Sequence, residues 1–230
     1  MKRFLNTSIV IVTFLILLFF YMGLTSEPTY TKIAENEIIE KENVFKSDKD
    51  YSKDIVGYLE IPNIDFEVAV TQYNNNTYYL NHDIDGNKKS KGNPFLDYRD
   101  KIEESKVLRI YGHNSNTIKT EFHPLENYYD ESYYKDNKYV FLETENKLRK
   151  YEIFSVYVET ADWSYYNVDL TNPDIYQKEL EKYKRNSWYD TKVKVDKNDN
   201  ILLLQTCSYL NKYKKFNNKY VLIFAKEISM

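Results

Sequence analysis

The chain is poor in the residues that build stapled, metal-bound or low-complexity folds. Of 230 residues, one is Cys, three are His, five are Gly and five are Pro. A single Cys excludes an internal disulfide framework and any cysteine-rich zinc or iron–sulfur site, and three scattered His argue against a His-based metal centre. Scarce Gly and Pro exclude collagen-like and low-complexity classes. No sign of charge dominates: 32 Lys and Arg stand against 35 Asp and Glu, a formal net of −3. The basic footprint of a nucleic-acid-binding surface is therefore missing. What is present is 42% hydrophobic content and 24 Tyr, in a length that supports one domain with a true core plus an appendage.

The appendage is N-terminal. Phe4 to Ser26 carries no charge, and its centre, Ile9 to Leu24, is almost wholly apolar. Roughly 20 such residues cross a hydrocarbon layer of about 30 Å as a helix. Lys2 and Arg3 precede the stretch, so the positive-inside rule predicts a cytoplasmic tip and an extracellular remainder. A cleaved signal peptide would have a shorter apolar region, about 7–15 residues, and a small-x-small site. Here the stretch is longer and runs into Thr25-Ser26-Glu27-Pro28, which points to an uncleaved single-pass anchor in the cell membrane. Residues 1–26 are assigned to tip and transmembrane helix, 27–54 to an extracellular tether with some helix, and 55–230 to the folded domain.

Within that domain β signals dominate. Ile55 to Ile61 reads as a strand ended by Pro62-Asn63, and Phe66, Val68 and Val70 alternate with Glu67 and Ala69 in a second. Pro94-Phe95-Leu96 and Val107 to Tyr111 follow, and Lys138 to Glu143 with Leu148 to Thr160 reads as a hairpin through Glu145-Asn146. Residues 116–137 read as short helices and loops. Asn172-Pro173-Asp174 predicts a capped helix from Asp174 to Lys184, since Asn favours the cap and Pro the first turn. Ile201 to Leu204 and Tyr220 to Ala225 are unbroken apolar runs of strand length, the pattern of strands buried on both faces.

An exported chain with one Cys poses a question at Cys207. A lone Cys is more often a small buried hydrophobe than a nucleophile. Cys207, however, follows the buried run 201–204 closely, and His113 stands in the same way just beyond strand 107–111. Two strand ends suit a thiol and an imidazole on one rim, with the thiolate as nucleophile and a proton donor for the leaving group. Spacing alone does not join them, because Cys–His pairs are assembled by the fold.

Several stretches nevertheless carry a family signature. They are Gly57-Tyr58-Leu59-Glu60-Ile61-Pro62-Asn63-Ile64-Asp65-Phe66, Asn76-Thr77-Tyr78-Tyr79-Leu80, Gly92-Asn93-Pro94-Phe95-Leu96-Asp97-Tyr98-Arg99, Tyr111-Gly112-His113-Asn114 and Leu204-Gln205-Thr206-Cys207. In this order and spacing the chain resembles the sortases, class B most closely. The resemblance implies a mainly β fold: an eight-stranded β-barrel with peripheral helices, a helix ahead of it and a long helix before the last strands, where 174–184 falls. It implies a cysteine transpeptidase that cleaves a C-terminal sorting signal of secreted proteins after Thr, through a thioester, and joins the acyl group to an amine of a peptidoglycan precursor or a pilin.

The resemblance assigns Cys207 as nucleophile and His113 as acid and base. The family's third residue is an Arg on the last strand; the matching position here holds Lys219. Lys supplies charge and donors without the planar fork of Arg. Two readings stand: Lys219 does a weaker version of the Arg task, or the alignment slips across 209–218 and another cation serves. Asn76, Leu80, Tyr111 and Thr206 match the substrate groove, with the Thr206 hydroxyl or backbone a candidate for the oxyanion. Asp97 and Arg99 read as a structural pair beneath the site, and His82 and His123 as surface residues. No metal or other cofactor is expected, and no nucleic-acid partner. The competing readings are a hydrolytic thiol peptidase and a weak or inactive sortase-like surface binding module.

Overall fold

Which residues alternate and which do not sets how many faces each strand of the barrel buries. The computed structural model describes residues 49–51, 54–161 and 170–230. The anchor at 1–26 and most of the tether at 27–54 lie outside them, as does the Tyr165-Tyr166 pair. Among the described residues no helix is long and apolar enough to cross a membrane.

The described residues form eight strands: β1 Ile55–Ile61, β2 Phe66–Thr71, β3 Phe95–Leu96, β4 Val107–Tyr111, β5 Tyr139–Glu143, β6 Leu148–Glu159, β7 Ile201–Cys207 and β8 Tyr220–Ile228. They close in the order β1-β2-β3-β4-β7-β8-β6-β5, and β5 pairs back onto β1. Closure leaves no open sheet edge. The alternation in β1 and β2 sends Leu59, Ile61, Phe66, Val68 and Val70 inward, where they meet Leu108, Ile110, Leu142, Ile153, Leu202, Leu204 and Ile223.

The apolar runs of β7 and β8 have two covers, as their lack of alternation predicts. Leu202 and Leu204 face the barrel interior, while Ile201, Leu203, Leu222 and Phe224 meet a second layer. Of the two α-helices described, α1 spans Glu131–Asp136 and α2 spans Pro173–Asn186. The Asn172 side chain accepts hydrogen bonds from the backbone N–H groups of Asp174 and Ile175, 3.0 and 3.2 Å away. Helix α2 lays Tyr176, Leu180 and Tyr183 on that second layer, with the Tyr183 ring stacked 4.2 Å from Phe224. Much of the tyrosine excess is thus core material.

One connection decides the position of the site. β4 and β7 are parallel, with Tyr111 opposite Gln205. The Gly112 N–H continues the ladder onto the Gln205 carbonyl, 3.1 Å away. Parallel neighbours end at the same rim, so the residues just beyond β4 and at the end of β7 are side by side.

Two glycines make this rim possible. Gly92 has φ +56°, and a Cβ there would sit 2.2 Å from the Tyr79 carbonyl oxygen and 2.8 Å from that of Leu80. A Cβ on Gly112 would sit 2.6 Å from the Phe122 ring. Gly92→Ala is expected to destabilise the fold by about 2 kcal/mol or more, since it adds both left-handed strain and a backbone clash. Gly86→Ala serves as comparison: φ is +78°, but the nearest atom is only the Tyr78 hydroxyl at 3.3 Å. Chemical denaturation should rank Gly92→Ala well below Gly86→Ala; equal midpoints would contradict the clash.

Candidate active site

A cavity of about 550 Å³ opens at this rim. Its walls include Cys207 and His113 together with Asn76, Leu80, Tyr111 and Thr206, so six of the seven residues singled out in the sequence meet there. Phe95, Gly112, Gln205 and Tyr220 complete the lining. Lys219, the seventh, is not among the lining residues. It is half-buried beside the strand partner of Cys207, which is Tyr220, and its Nζ donates to the Phe216 carbonyl at 3.3 Å. The Lys219 carbonyl accepts from the Ser208 N–H at 2.8 Å, which ties the start of β8 to the residue after the thiol.

The sulfur is half-buried. Burial pushes the Cys207 thiol up from its ordinary range, the Lys219 charge pulls it back in part, and the Glu126 carboxylate adds to the rise. At neutral pH the thiol form therefore predominates, and the thiolate is a minor species in the free protein.

The His113 ring is held by the chain opposite. Its Nε2 lies 2.8 Å from the Leu80 carbonyl oxygen, an acceptor, which assigns the proton to Nε2. The same carbonyl is the one Gly92 must pass closely.

Asp97 organises the other wall. It is fully buried and pairs with Arg99, whose Nη2 donates to Oδ2 at 2.7 Å. Oδ2 also accepts from Asn76 Nδ2 at 3.1 Å and the Tyr111 hydroxyl at 2.9 Å. Burial alone would raise this carboxyl, but the side-chain and backbone hydrogen bonds of Arg99, the Arg109 charge and Tyr111 outweigh it and bring it to about 2. A carboxyl lowered on folding stabilises the fold above its unfolded value, and that contribution fades as pH falls toward 2. Asp97 thus fixes two cavity residues, Asn76 and Tyr111, without facing the sulfur.

Two expectations need correction. The Thr206 hydroxyl is not available to an oxyanion: it is buried and donates to the Gly112 carbonyl at 2.8 Å, where it laces β7 to the residue before His113. His82 is not a plain surface residue but stacks on the Tyr78 ring, with centroids 4.1 Å apart. His123 is exposed, as expected, and its Nδ1 lies 2.7 Å from Asn114 Oδ1.

Sequence reading also missed Glu126 and left Gln205 between core and surface. Glu126 sits in a charged-looking stretch of the 3-10 helix His123–Tyr129, yet it is buried. Gln205 lines the cavity at 4% exposure, and its Oε1 has no hydrogen-bond partner in the structure. Gln205 belongs to the Leu204-Gln205-Thr206-Cys207 stretch, and only the family resemblance drew notice to it. Among the described residues, no cluster of three or more His, Cys, Asp or Glu side chains is arranged to hold a metal ion.

Comparison with known proteins fits this geometry. The sortase domain family matches residues 59–228. The chain belongs to the sortase family. Sortase B of Staphylococcus aureus is 30% identical over 249 aligned positions, covering 100% of this chain and 99% of that protein. The solved S. aureus sortase B–substrate complex superposes with a TM-score of 0.71 at 28% identity, over 88% of this chain and 95% of that one. Clostridium perfringens sortase B superposes with a TM-score of 0.69 at 28% identity, over 76% of this chain and 94% of that one. The mainly β, eight-stranded barrel of this sortase is the architecture of those sortase B structures, and its likeness is to class B.

Proposed function

We propose that this sortase is a class B cysteine transpeptidase that cleaves a C-terminal sorting signal of secreted proteins after Thr and transfers the acyl group to an amine of the cell wall or of a pilin. The observation that carries the reading is the shared cavity of Cys207 and His113, at the ends of two adjacent parallel strands. Family membership supports sortase transpeptidation in general; the chemistry of the two side chains supports the steps.

The Cys207 thiolate attacks the Thr carbonyl carbon. A C–S bond forms, the C–N bond breaks, and His113 passes its proton to the departing amine. The thioester is then attacked by the incoming amine, His113 takes that amine's proton, and the sulfur leaves as thiolate. Two easier exchanges replace one difficult amide exchange. Asn76, Leu80, Tyr111 and Thr206 form the substrate-facing wall, and the unpartnered Gln205 Oε1 suits a donor group of the peptide.

Lys219 takes the place of the family Arg. Its charge already acts on the sulfur and favours the thiolate. Through that same charge it also offsets negative charge on the tetrahedral oxygen. Lys219→Ala is expected to lower kcat/KM by about tenfold or more, and Lys219→Arg to keep or raise it, because Arg adds a bidentate fork. An unaffected Lys219→Ala enzyme would show that another group holds the oxyanion.

The apolar N-terminal segment supports an arrangement with residues 1–26 as tip and membrane anchor, 27–54 as tether and 55–230 as an extracellular catalytic domain. The partners are then secreted proteins with a sorting motif, an amine on a peptidoglycan precursor or pilin, and the membrane itself. The deciding experiment is product analysis with sorting-signal peptides, with and without an added amine. Amine-dependent ligation supports transfer. Hydrolysis unaffected by amine makes the chain a thiol peptidase, and no Cys207-dependent product makes it a binding module.

A further inference from the structure

The reactive side chains do not hold each other in place; a buried carboxylate lies behind both. Glu126 is 8% exposed in the 3-10 helix His123–Tyr129. Its Oε2 accepts from Asn114 Nδ2 at 2.9 Å, and its Oε1 accepts from the Ser208 hydroxyl at 3.1 Å and from the Tyr209 N–H. Asn114 is the residue after His113. Ser208 and Tyr209 are the residues after Cys207. The same Asn114 Nδ2 also donates to the Cys207 carbonyl at 2.9 Å, while Asn114 Oδ1 lies 2.7 Å from His123 Nδ1. With both Nδ2 partners acceptors, the orientation of the Asn114 amide is fixed.

We propose that Glu126 is a positioning residue, whose carboxylate clamps the segment after His113 to the segment after Cys207 and so sets the relation of imidazole to sulfur. This rests on the reading of Cys207 and His113 as the reacting pair. Three donors converge on one carboxylate, and such charge-assisted bonds are strong and directional where water is excluded. A neutral amide of the same shape cannot reproduce them. In Glu126→Gln one lobe of the side chain still accepts, but the other becomes a donor facing either Asn114 Nδ2 or the Ser208–Tyr209 pair.

The clamp has a cost that identifies it. Its negative charge opposes ionisation of the sulfur, against Lys219, which favours it. The charged or titratable groups around the sulfur are Glu126 from the 3-10 helix, Lys219 from the segment entering β8 and His113 from the end of β4; His123 reaches the carboxylate through Asn114. A positioning carboxylate therefore predicts an unusual pairing of effects. Removing its charge makes the thiol ionise more easily and yet makes the enzyme slower.

The test uses the full chain with Glu126→Gln, Glu126→Asp and Ser208→Ala. The rate of Cys207 alkylation by iodoacetamide is followed against pH, and kcat and KM are measured for transfer from a sorting-signal peptide. Glu126→Gln should move the alkylation midpoint to lower pH and reduce kcat by about tenfold or more, with little change in KM, because misorientation acts on the chemical step. Glu126→Asp keeps the charge, so its midpoint should stay at the wild-type value. Ser208→Ala removes one donor while leaving the carboxylate and the Tyr209 N–H, so it gives a readout even if Glu126→Gln fails to fold. It should lower kcat by a few-fold, as expected of one lost bond to a charged group. Wild-type kcat in Ser208→Ala and an unmoved midpoint in Glu126→Gln would overturn the proposal. So would a Glu126→Gln enzyme of wild-type kcat. Alkylation needs no substrate, so its midpoint reads the Glu126 charge at the sulfur independently of whether wild-type protein yields Cys207-dependent product, which tests the transpeptidase reading itself.

Discussion

Cys207→Ala should abolish turnover while leaving the barrel folded. The sulfur is the atom that carries the acyl group, and nothing else on the cavity wall, least of all the committed Thr206 hydroxyl, replaces it. Removal of a covalent nucleophile costs on the order of 10⁶-fold in kcat. The fold should tolerate the change. Cys207 is the last residue of β7, half-buried, and its place in the sheet is set by pairing with Tyr220 and by the Asn114–Cys207 backbone bond, which alanine keeps. Turnover at the detection limit with a wild-type melting transition is the expected result. Measurable transfer by the alanine enzyme would remove the thioester from the mechanism.

His113→Ala should reduce kcat by about 10²–10⁴-fold, the usual contribution of a positioned acid–base group. The amine that leaves the first tetrahedral intermediate needs a proton, and His113 is the one titratable imidazole among the residues that line the cavity. KM should change little, since the ring acts on the departing group more than on the bound peptide. The first step expels an amine, a poor leaving group without a proton, whereas the second expels the thiolate, a far better one. Pre-steady-state acylation should therefore slow more than deacylation. A variant with unchanged acylation rate would move the acid role elsewhere.

How much of this was readable in the residues differs from element to element. β1 and β2 were legible because one face of each is buried and the side chains alternate. The strands at 201–204 and 220–225 were legible for the opposite reason, since a run without alternation needs two covers, and α2 supplies the second. Asn172-Pro173 announced that helix. The parallel pairing of β4 with β7 was not legible, because a register between segments some ninety residues apart is a property of barrel closure and not of any local pattern. Only the family resemblance joined His113 to Cys207 in advance.

The site was legible where it is chemically unusual and hidden where it is not. A lone Cys just past a buried strand draws notice on its own. Glu126 reads as a solvated acid between Leu125 and Asn127, and its burial depends on Asn114 and the turn after Cys207 arriving from distant strands. Asp97 was expected as a structural partner of Arg99, but its hold on Asn76 and Tyr111 depends on the loop between β3 and β4 folding back on the cavity wall. Thr206 was misread for a similar reason: a hydroxyl beside a nucleophile is free only if no backbone carbonyl reaches it, and the parallel neighbour supplies one.

The central claim is a thiol that a polypeptide can reach, beside an imidazole in one open cavity. The most direct test is to treat the folded protein with a small methanethiosulfonate reagent, follow the mass of the intact chain, and assay the same sample for transfer. The account predicts one adduct, on Cys207, formed while the melting transition persists, and loss of activity in proportion to the labelled fraction. A thiol that stays unlabelled until the protein is unfolded, or a fully labelled protein that still turns over, would contradict it.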